Sequence, residues 1–251
     1  MTHPVRFTLH RNLSLLVALL LSLSTLRSAS AQQSYVGRFG IYTGFSDLYT
    51  PGLNDIQQYG FHLQAGEDLK SWLGAGFDYS VQTGNTSLIA GMASPAVLAG
   101  IGELYAEGIL PLTYDVDVPI SATTQTFTMG PTFNYRHFSK VTLFIHPSLA
   151  AFRLSATAHP RTGTDDPIVV AALEAGNYIS PQGTISDWTG AYGLGGGAEF
   201  ALTPHIGVRA QLDAVWNHPF NAILGSGGWS YRYSIGPAFH FGRNILRTGK
   251  Q

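Results

Sequence analysis

Hydrophobic and polar residues alternate with a period of two along most of the chain after residue 35. In "WSYRYSIGPAFHF" (229–241) every odd position is aromatic, isoleucine or proline, and every even position is serine, arginine, glycine, alanine or histidine. A period of two is typical of a β-strand with one apolar face. The alternation predicts eight strands, at 36–46, 57–66, 71–82, 121–137, 141–156, 187–202, 205–217 and 229–241.

The lengths of the strands and of their connections favour a membrane barrel. Most predicted strands have ten residues or more, whereas strands of globular proteins have about five or six and a tilted membrane strand has about 9–11. Short connections (67–70, 138–140, 203–204) alternate with longer ones (47–56, 83–120, 157–186, 218–228). This order is typical of barrels with periplasmic turns and extracellular loops. We therefore predict an all-β fold, an eight-stranded antiparallel up-and-down transmembrane β-barrel.

The first 31 residues have the layout of a secretory signal peptide. Arg6 and Arg11 precede an apolar run (13–26), and Ala29-Ser30-Ala31 offers a small-residue cleavage pattern. A helical membrane anchor is the alternative, but this run of 14 residues is shorter than the roughly 20 that a spanning helix needs. We predict a cleaved signal peptide (1–31), an outer-membrane barrel (32–241) and a periplasmic C-terminal tail (242–251).

Charge and cysteine content narrow the possible partners and the means of stabilisation. Residues 1–31 hold three of the 14 basic residues and none of the 15 acidic ones, so the mature chain has a net charge of −4. Without a basic run, nothing indicates nucleic-acid binding. An exported chain without cysteines is held together by core packing or by a closed ladder of backbone hydrogen bonds.

The polar faces of the predicted strands carry ten ionisable residues that a membrane barrel turns inward. The interior of an eight-stranded barrel is only wide enough for side chains to fill it, so we expect opposite charges to pair there. The alternative, a solvated face of a soluble sheet, fits poorly with a chain in which only 12% of the residues are charged. The predicted lumen network consists of Arg38, His62, Asp78, Arg136, His146, Glu199, Arg209, Asp213, Arg232 and His240.

Large aromatic residues lie at the ends of predicted strands, where the two interfaces of a bilayer collect them. Trp72 and Phe241 are expected at the periplasmic rim, and Trp188, Trp216 and Trp229 at the outer rim. These five residues form the predicted aromatic belt. One strand position is unusual, because Pro237 cannot donate a ladder hydrogen bond, and it predicts a bulge and a kink in the last strand.

Two of the long connections contain short segments with helical spacing. In 95–109, apolar residues recur at helical intervals, and Asp166-Pro167 resembles an N-cap and a first-turn proline before "IVVAALEA" (168–175). Each segment is predicted either as a short helix over the barrel mouth or as a mobile loop.

Several segments together resemble the bacterial outer-membrane β-barrel domain family, the small OmpA- and OmpX-like barrels. They are "GRFGIYTGFSDL" (37–48), "WLGAGFDYSVQTG" (72–84), "FTMGPTFNYRHF" (127–138) and "YRYSIGPAFHFG" (231–242). The resemblance covers about 35–241 and implies an outer-membrane location, contact with outer-membrane lipids and lipopolysaccharide, and insertion by the barrel-assembly machinery. That machinery reads a terminal aromatic residue, here Phe241, although ten residues follow it in this chain.

Motifs for catalysis and ligand binding are weak. "GLGGGA" (193–198) lies inside a predicted strand and lacks the helix of a dinucleotide site. His146 with Ser148, or His62 with Asp78, could belong to a hydrolase, but same-face polar pairs are expected in any polar lumen. Asp165-Asp166 lacks the further oxygen ligands of a calcium site. We predict no catalytic, cofactor or metal site.

The expected role is therefore structural or surface-interacting, with a polar, largely packed lumen and extracellular loops that contact an unidentified partner. A narrow channel for small solutes or ions is the alternative, and a membrane-embedded, lipid-acting hydrolase is a more distant one.

Overall fold

The computed structural model describes residues 33–247, so the predicted signal peptide (1–31) lies outside the described residues. Within this range eight antiparallel strands form a closed barrel, because β8 pairs with β1 as well as with β7. The strands are β1 (Gly37–Thr50), β2 (Ile56–Lys70), β3 (Leu73–Ile89), β4 (Asp117–Tyr135), β5 (Val141–Ala158), β6 (Thr184–Ala201), β7 (Ile206–Asn217) and β8 (Gly228–Asn244).

The two segments with helical spacing, for which a mobile loop was the alternative, both form helices in the two longest connections. α1 (Pro95–Ala106) begins after Ser94, whose side chain caps Val97 N, and it ends three residues earlier than the predicted segment. Asp165, not Asp166, occupies the N-cap position of α2 (Asp166–Ala175), and its side chain forms no capping hydrogen bond. Asp166 is therefore the first helical residue, and its carboxylate is free for other contacts. Neither of these helices is long and apolar enough to cross a membrane.

Four neighbouring strands run further outward than the alternation predicts, with ends at Ile89, Asp117, Ala158 and Thr184. The polarity of these outer ends is inverted: on β5, Leu154 and Ala156 are buried inside the barrel, and Ser155 and Thr157 are partly exposed outside it. Strands with polar outer faces suit water rather than lipid. The predicted loops 83–120 and 157–186 are therefore too long. The alternation of apolar and polar residues continues into them, but the apolar residues move from the outward to the inward face.

The first outer connection and the C-terminal end of the barrel also differ from the prediction. β1 and β2 extend until only 51–55 remain between them. β8 continues through Asn244 rather than ending at Phe241, and its last residues are joined to the start of the described chain, with Asn244 Nδ2 donating to Ser34 O at 2.9 Å. Residues 242–244, assigned above to the tail, are part of the barrel wall.

The predicted bulge at Pro237 is absent. On both sides of the proline β8 keeps one register with β1, since Tyr42 pairs with Ala238 and Phe45 with Ile235. The pairing with β7 also continues through Pro237 itself, which faces Val208. A proline removes one donor, but the closed ladder holds the strand on both sides and the register does not slip. The register shift of β1 lies instead between Gly37 and Phe39.

Burial alternates around the ring, with small and polar side chains inside and large apolar ones outside. On β8 Ser230, Arg232 and Ser234 are buried, whereas Tyr233 and Ile235 are about half exposed. The interior has two parts along the barrel axis. The half nearer the termini is polar, and the outer part contains a hydrophobic core under the two helices.

Candidate functional site in the barrel lumen and its cap

Five ionisable side chains meet in the middle of the lumen, and we call them the central cluster: His62, Asp78, His146, Asp213 and Arg232. Arg232 lies between the two carboxylates, with Nη2 at 2.9 Å from Asp78 Oδ2 and 2.8 Å from Asp213 Oδ2. His62 contacts Asp78 at 2.5 Å, and His146 contacts Asp213 at 2.9 Å. Such an arrangement of buried charges is stable only while every member has its partner.

The strand alternation and one glycine make room for this cluster. Arg232 comes from β8, Asp78 from β3 and Asp213 from β7, so the cluster connects distant parts of the wall. Gly195 on β6 lies beside it, and a Cβ atom at this position would overlap with Asp213 Oδ1 and His146 Nε2. The glycine of "GLGGGA" therefore creates space for charged side chains, as the strand assignment of this motif implied.

A second group, the lower cluster, lies toward the periplasmic end. Arg209 Nη2 contacts Glu199 Oε2 at 2.7 Å, and His240 Nε2 also contacts this carboxylate. The guanidinium of Arg209 lies 4.7 Å from the centre of the Phe144 ring, a cation–π contact. Below it, Arg136 pairs with Asp68 at 2.7 Å near the mouth.

Arg38 is the predicted lumen residue that the structure places elsewhere. Its side chain is half exposed and pairs with Glu67 at 2.6 Å. Glu67 stands opposite Phe39 in the ladder, so it shares the outward face with that ring. The register shift between Gly37 and Phe39 disrupts the parity that predicted an inward Arg38. The other nine predicted residues lie in the lumen or at its periplasmic mouth.

A layer of amides and hydroxyls lies outward of the central cluster. Gln82 Nε2 donates to Ser46 Oγ at 2.8 Å, and Thr124 Oγ1 donates to Gln58 Oε1 at 2.6 Å. These four side chains are buried, at 3% exposure or less. The lumen network predicted from the sequence contained only ionisable residues and therefore lacked these four. Their inward parity in the predicted strands was the available signal.

Above this layer lies the cap, which we define as α1, α2 and loop 218–227. The loop is tied to the start of α1, where Ser94 Oγ donates to Ala222 O at 2.8 Å and Gly225 N donates to Met92 O at 3.0 Å. Apolar side chains of the cap pack on the inverted outer ends of the strands and form the cap core. Among its buried members are Val97, Ile101, Leu110, Val118, Leu154, Val169, Leu173, Phe220, Ile223 and Leu224.

A polar latch joins the two long connections on the extracellular side. The buried carboxylate of Asp166 accepts from Tyr114 Oη at 2.8 Å and from Arg161 Nε at 2.8 Å, and Arg161 also pairs with Asp117. Hydrogen bonds from Arg161 hold the pKa of the Asp166 carboxyl well below its usual range. Burial, reinforced by the hydrogen bond to Asp166, raises the pKa of Tyr114. From the sequence, Asp166 was predicted as a helix cap and not as a link between the two connections.

The lumen also contains a serine, a histidine and an aspartate in hydrogen-bonded series. Ser234 Oγ lies 3.0 Å from His62 Nδ1, and His62 Nε2 lies 2.5 Å from Asp78 Oδ2. The order matches a hydrolytic triad, with Ser234 in place of the Ser148 considered above. All three residues are buried, and His62 is 0% exposed, so a substrate carbonyl has no path to the hydroxyl in this conformation.

Three members of the central cluster form a group of residues of the kinds that bind metal ions. Ligand atoms of His62, Asp78 and Asp213 lie within 4.8 Å of one another. However, Arg232 donates to both carboxylates from between them. A cation at this point would have to displace the guanidinium, so the donor set is already occupied by the protein's own charge.

The predicted belt residues all lie on the outer surface. Trp72 stacks on Phe133, and Phe241 lies beside Phe39, both near the termini. Trp188 is four residues inside β6 rather than at its start, because the strand continues outward past it. Trp216 and Trp229 face each other across β7 and β8.

The sequence of the chain matches a known family of barrel proteins. A family model described as "Outer membrane protein beta-barrel domain" matches residues 13–222, well over half of the chain. The chain belongs to the outer-membrane β-barrel domain family. Its place is accordingly the bacterial outer membrane. No curated protein matches the chain.

Solved structures that align with this chain have little sequence in common with it. Neisserial surface protein A (NspA) aligns with a TM-score of 0.50 at 11% identity, over 82% of this chain and 99% of that one. Ail, the attachment invasion locus protein of Yersinia pestis, has a TM-score of 0.44 at 12% identity, with 82% and 99% covered. The outer membrane protease OmpT from Escherichia coli has 0.35 at 11%, with 82% and 95% covered. At 11% identity the likeness to NspA shows the fold alone.

Proposed function

We propose that this protein is a non-conducting outer-membrane barrel that anchors a folded extracellular cap, with a structural or surface-interaction role. The observation that carries the proposal is the cap core, in which apolar side chains of α1, α2 and loop 218–227 pack on the inner face of the barrel wall. An apolar constriction is poorly wetted and opposes the passage of ions. The charged clusters below it leave little space for solute.

Planar-bilayer recording tests this proposal against the channel alternative. The mature chain, reconstituted in bilayers, is expected to show no unitary conductance, and Arg232→Ala is expected to stay equally silent because the cap core lies outside the altered cluster. Steady ion conductance by the unaltered protein, changed in size or selectivity by Arg232→Ala, would establish a channel and overturn the proposal.

A hydrolase is the second candidate, and the Ser234–His62–Asp78 series is the observation that favours it. Its burial argues against turnover, so we expect no hydrolysis of phospholipid, lipid A or peptide substrates by the mature protein in bilayers. Ser230→Ala is the matched control, because Ser230 is a buried serine on the same face of β8. Activity abolished by Ser234→Ala and kept by Ser230→Ala would replace the proposed role with an enzymatic one.

The proposed partners follow from the surfaces. Outer-membrane lipids and lipopolysaccharide are expected to contact the outward aromatic residues, and the barrel-assembly machinery to act on the last strand during insertion. The exposed part of the cap is the surface proposed for an extracellular partner. Its outer faces carry acidic residues of both helices and of the adjoining loops, among them Glu103, Glu107, Asp165 and Glu174, so a partner with a basic surface fits best.

A further inference from the structure

A cavity of about 70 Å³ lies within the cap core, between the cap and the outer ends of the strands. The barrel contributes Leu154, Ala156 and Ile185 to its wall, and the cap contributes Leu173 and Phe220. The single hydroxyl side chain in the lining belongs to Thr86, and none of the lining residues is ionisable. A buried water needs two to four polar partners, so this cavity is expected to be dry.

Small side chains keep the cavity open. Ala122 of β4 and Ala156 and Ala158 of β5 project into it, at positions where leucine or isoleucine would fill the space. An empty apolar cavity costs stability, because its lining atoms lack contacts on one side. An apolar guest would restore these contacts, and no buried charge or amide would have to be desolvated.

The barrel wall is incomplete beside the cavity. The ladder between β6 and β7 begins outermost at Tyr192 and Trp216, so β6 between Thr184 and Ala191 has no strand partner on that side among residues 33–247. Loop 218–227 covers this edge, with Phe220 N donating to Asp187 Oδ2 at 2.7 Å. A single loop thus separates the cavity from the outer surface close to the exposed ring of Trp188.

We propose that this cavity binds a short alkyl group, supplied either by the end of a lipid acyl chain or by a small free hydrocarbon. An apolar protein cavity of ~150 Å³ accepts benzene or xenon while staying free of water. This cavity, at about 70 Å³, has roughly half that volume, which suits a guest of a few carbon atoms. This binding goes beyond the anchoring role. A non-conducting barrel can anchor its cap whether or not the cavity binds a guest.

Methyl NMR of the full mature protein in nanodiscs tests this binding, with two probes that distinguish the sources. Xenon dissolved under pressure reports on free apolar solutes, and a phospholipid with a nitroxide at its acyl-chain end reports on lipid chains. The methyl groups of Leu154 and Leu173 are expected to show a saturable shift with xenon, line broadening with the labelled lipid, or both. Leu149, which faces outward on β5, is expected to be broadened by the lipid in every variant.

Two alanine substitutions on β5 serve as a matched pair. Ala156→Leu fills the cavity and is expected to abolish the saturable shift and the broadening at Leu173, whereas Ala151→Leu adds the same bulk to the outward face and leaves both unchanged. If Ala156→Leu does not fold, Val170→Phe fills the cavity from the cap side. A wild-type protein that responds to neither probe, or an undiminished response in the filled variant, overturns the proposal.

Discussion

At the scale of single residues, Arg232 joins the two carboxylates of the central cluster. It is 2% exposed and is the cation shared by Asp78 and Asp213. If the guanidinium were removed, two buried carboxylates would lose their common partner. Removing one partner of a buried ion pair costs far more stability than replacing both partners by apolar residues, because an uncompensated charge remains buried.

Arg232→Met is expected to lower the free energy of unfolding by roughly 3–5 kcal/mol, measured by urea unfolding in lipid vesicles. Arg38→Met is the matched control, since the Arg38–Glu67 pair is solvent-exposed and such pairs contribute less than about 1 kcal/mol. Equal losses in the two variants would contradict the distinction between the central cluster and the rim.

Gly195→Ala tests whether the central cluster requires the space that this glycine leaves. The added methyl group overlaps with the side chains of His146 and Asp213, and overpacking of this kind costs about 1–3 kcal/mol. Gly190→Ala lies on the same strand with no heavy atom within 4 Å of its new Cβ. Urea unfolding is expected to show a loss for Gly195→Ala only. If the control falls equally, the effect comes from backbone flexibility.

At the scale of elements, the latch decides how firmly the cap closes the barrel. Asp166 begins α2 and bonds Tyr114 of the preceding long connection, so a single carboxylate joins both outer loops. Because its folded pKa is depressed, its stabilising contribution is complete above the unfolded-state pKa of about 3.9. The contribution decreases as the pH falls below that value toward the folded pKa.

The latch is best tested by hydrogen exchange of α2 amides in wild type and in Asp166→Asn. At pH 7 the variant is expected to lose about 1–3 kcal/mol of protection in the cap, with the barrel amides unchanged. As the pH is lowered below about 4, the difference between the two proteins should shrink. Asp165→Asn is the control, because the Asp165 side chain forms no capping bond. A difference that stays constant with pH would exclude the carboxylate as its source.

At the scale of the whole molecule, the polarity of the barrel wall reverses toward its outer end. On β5 the outward face changes from Leu149 to Ser155 and Thr157 as the inward face changes from His146 to Leu154 and Ala156. The outer part of the wall is thus organised like a soluble sheet around its own core, and the inner part like a membrane barrel around a polar lumen.

Cysteine labelling locates this transition, since the chain contains no cysteine of its own. Both Leu149 and Thr157 face outward on β5. In intact cells Thr157→Cys is expected to react with a water-soluble maleimide, and Leu149→Cys to react slowly because lipid covers it. Similar rates at the two positions would show that the transition from lipid to water lies elsewhere on the wall.

Much of the fold could be predicted because the period of two and the order of short and long connections are local properties of the chain. The eight strands and their antiparallel closure followed from these patterns, whereas for the two cap helices the sequence left a mobile loop as an equal alternative. The outer strand ends at 83–89, 117–120 and 184–186 did not follow from these patterns. There the cap covers the inside of the barrel, so the apolar residues lie on the inward face instead of the outward face. Arg38 was predicted on the wrong face of β1. The alternation of inward and outward residues holds only while the strand register is unbroken, and the register shifts between Gly37 and Phe39.

The chemistry of the interior depended on the closed structure. Alternation indicates that Asp78, Arg232 and Asp213 point inward, but the closure of β8 on β1 and the stagger of the strands place these three at one height. The same holds for the cavity, whose lining comes from segments more than 150 residues apart. The periodicity of the chain, read locally, was sufficient for a barrel with a polar and an apolar side. Which charges meet, where lipid gives way to water and what the cap encloses are relations between distant residues, and these exist only once the ring has closed.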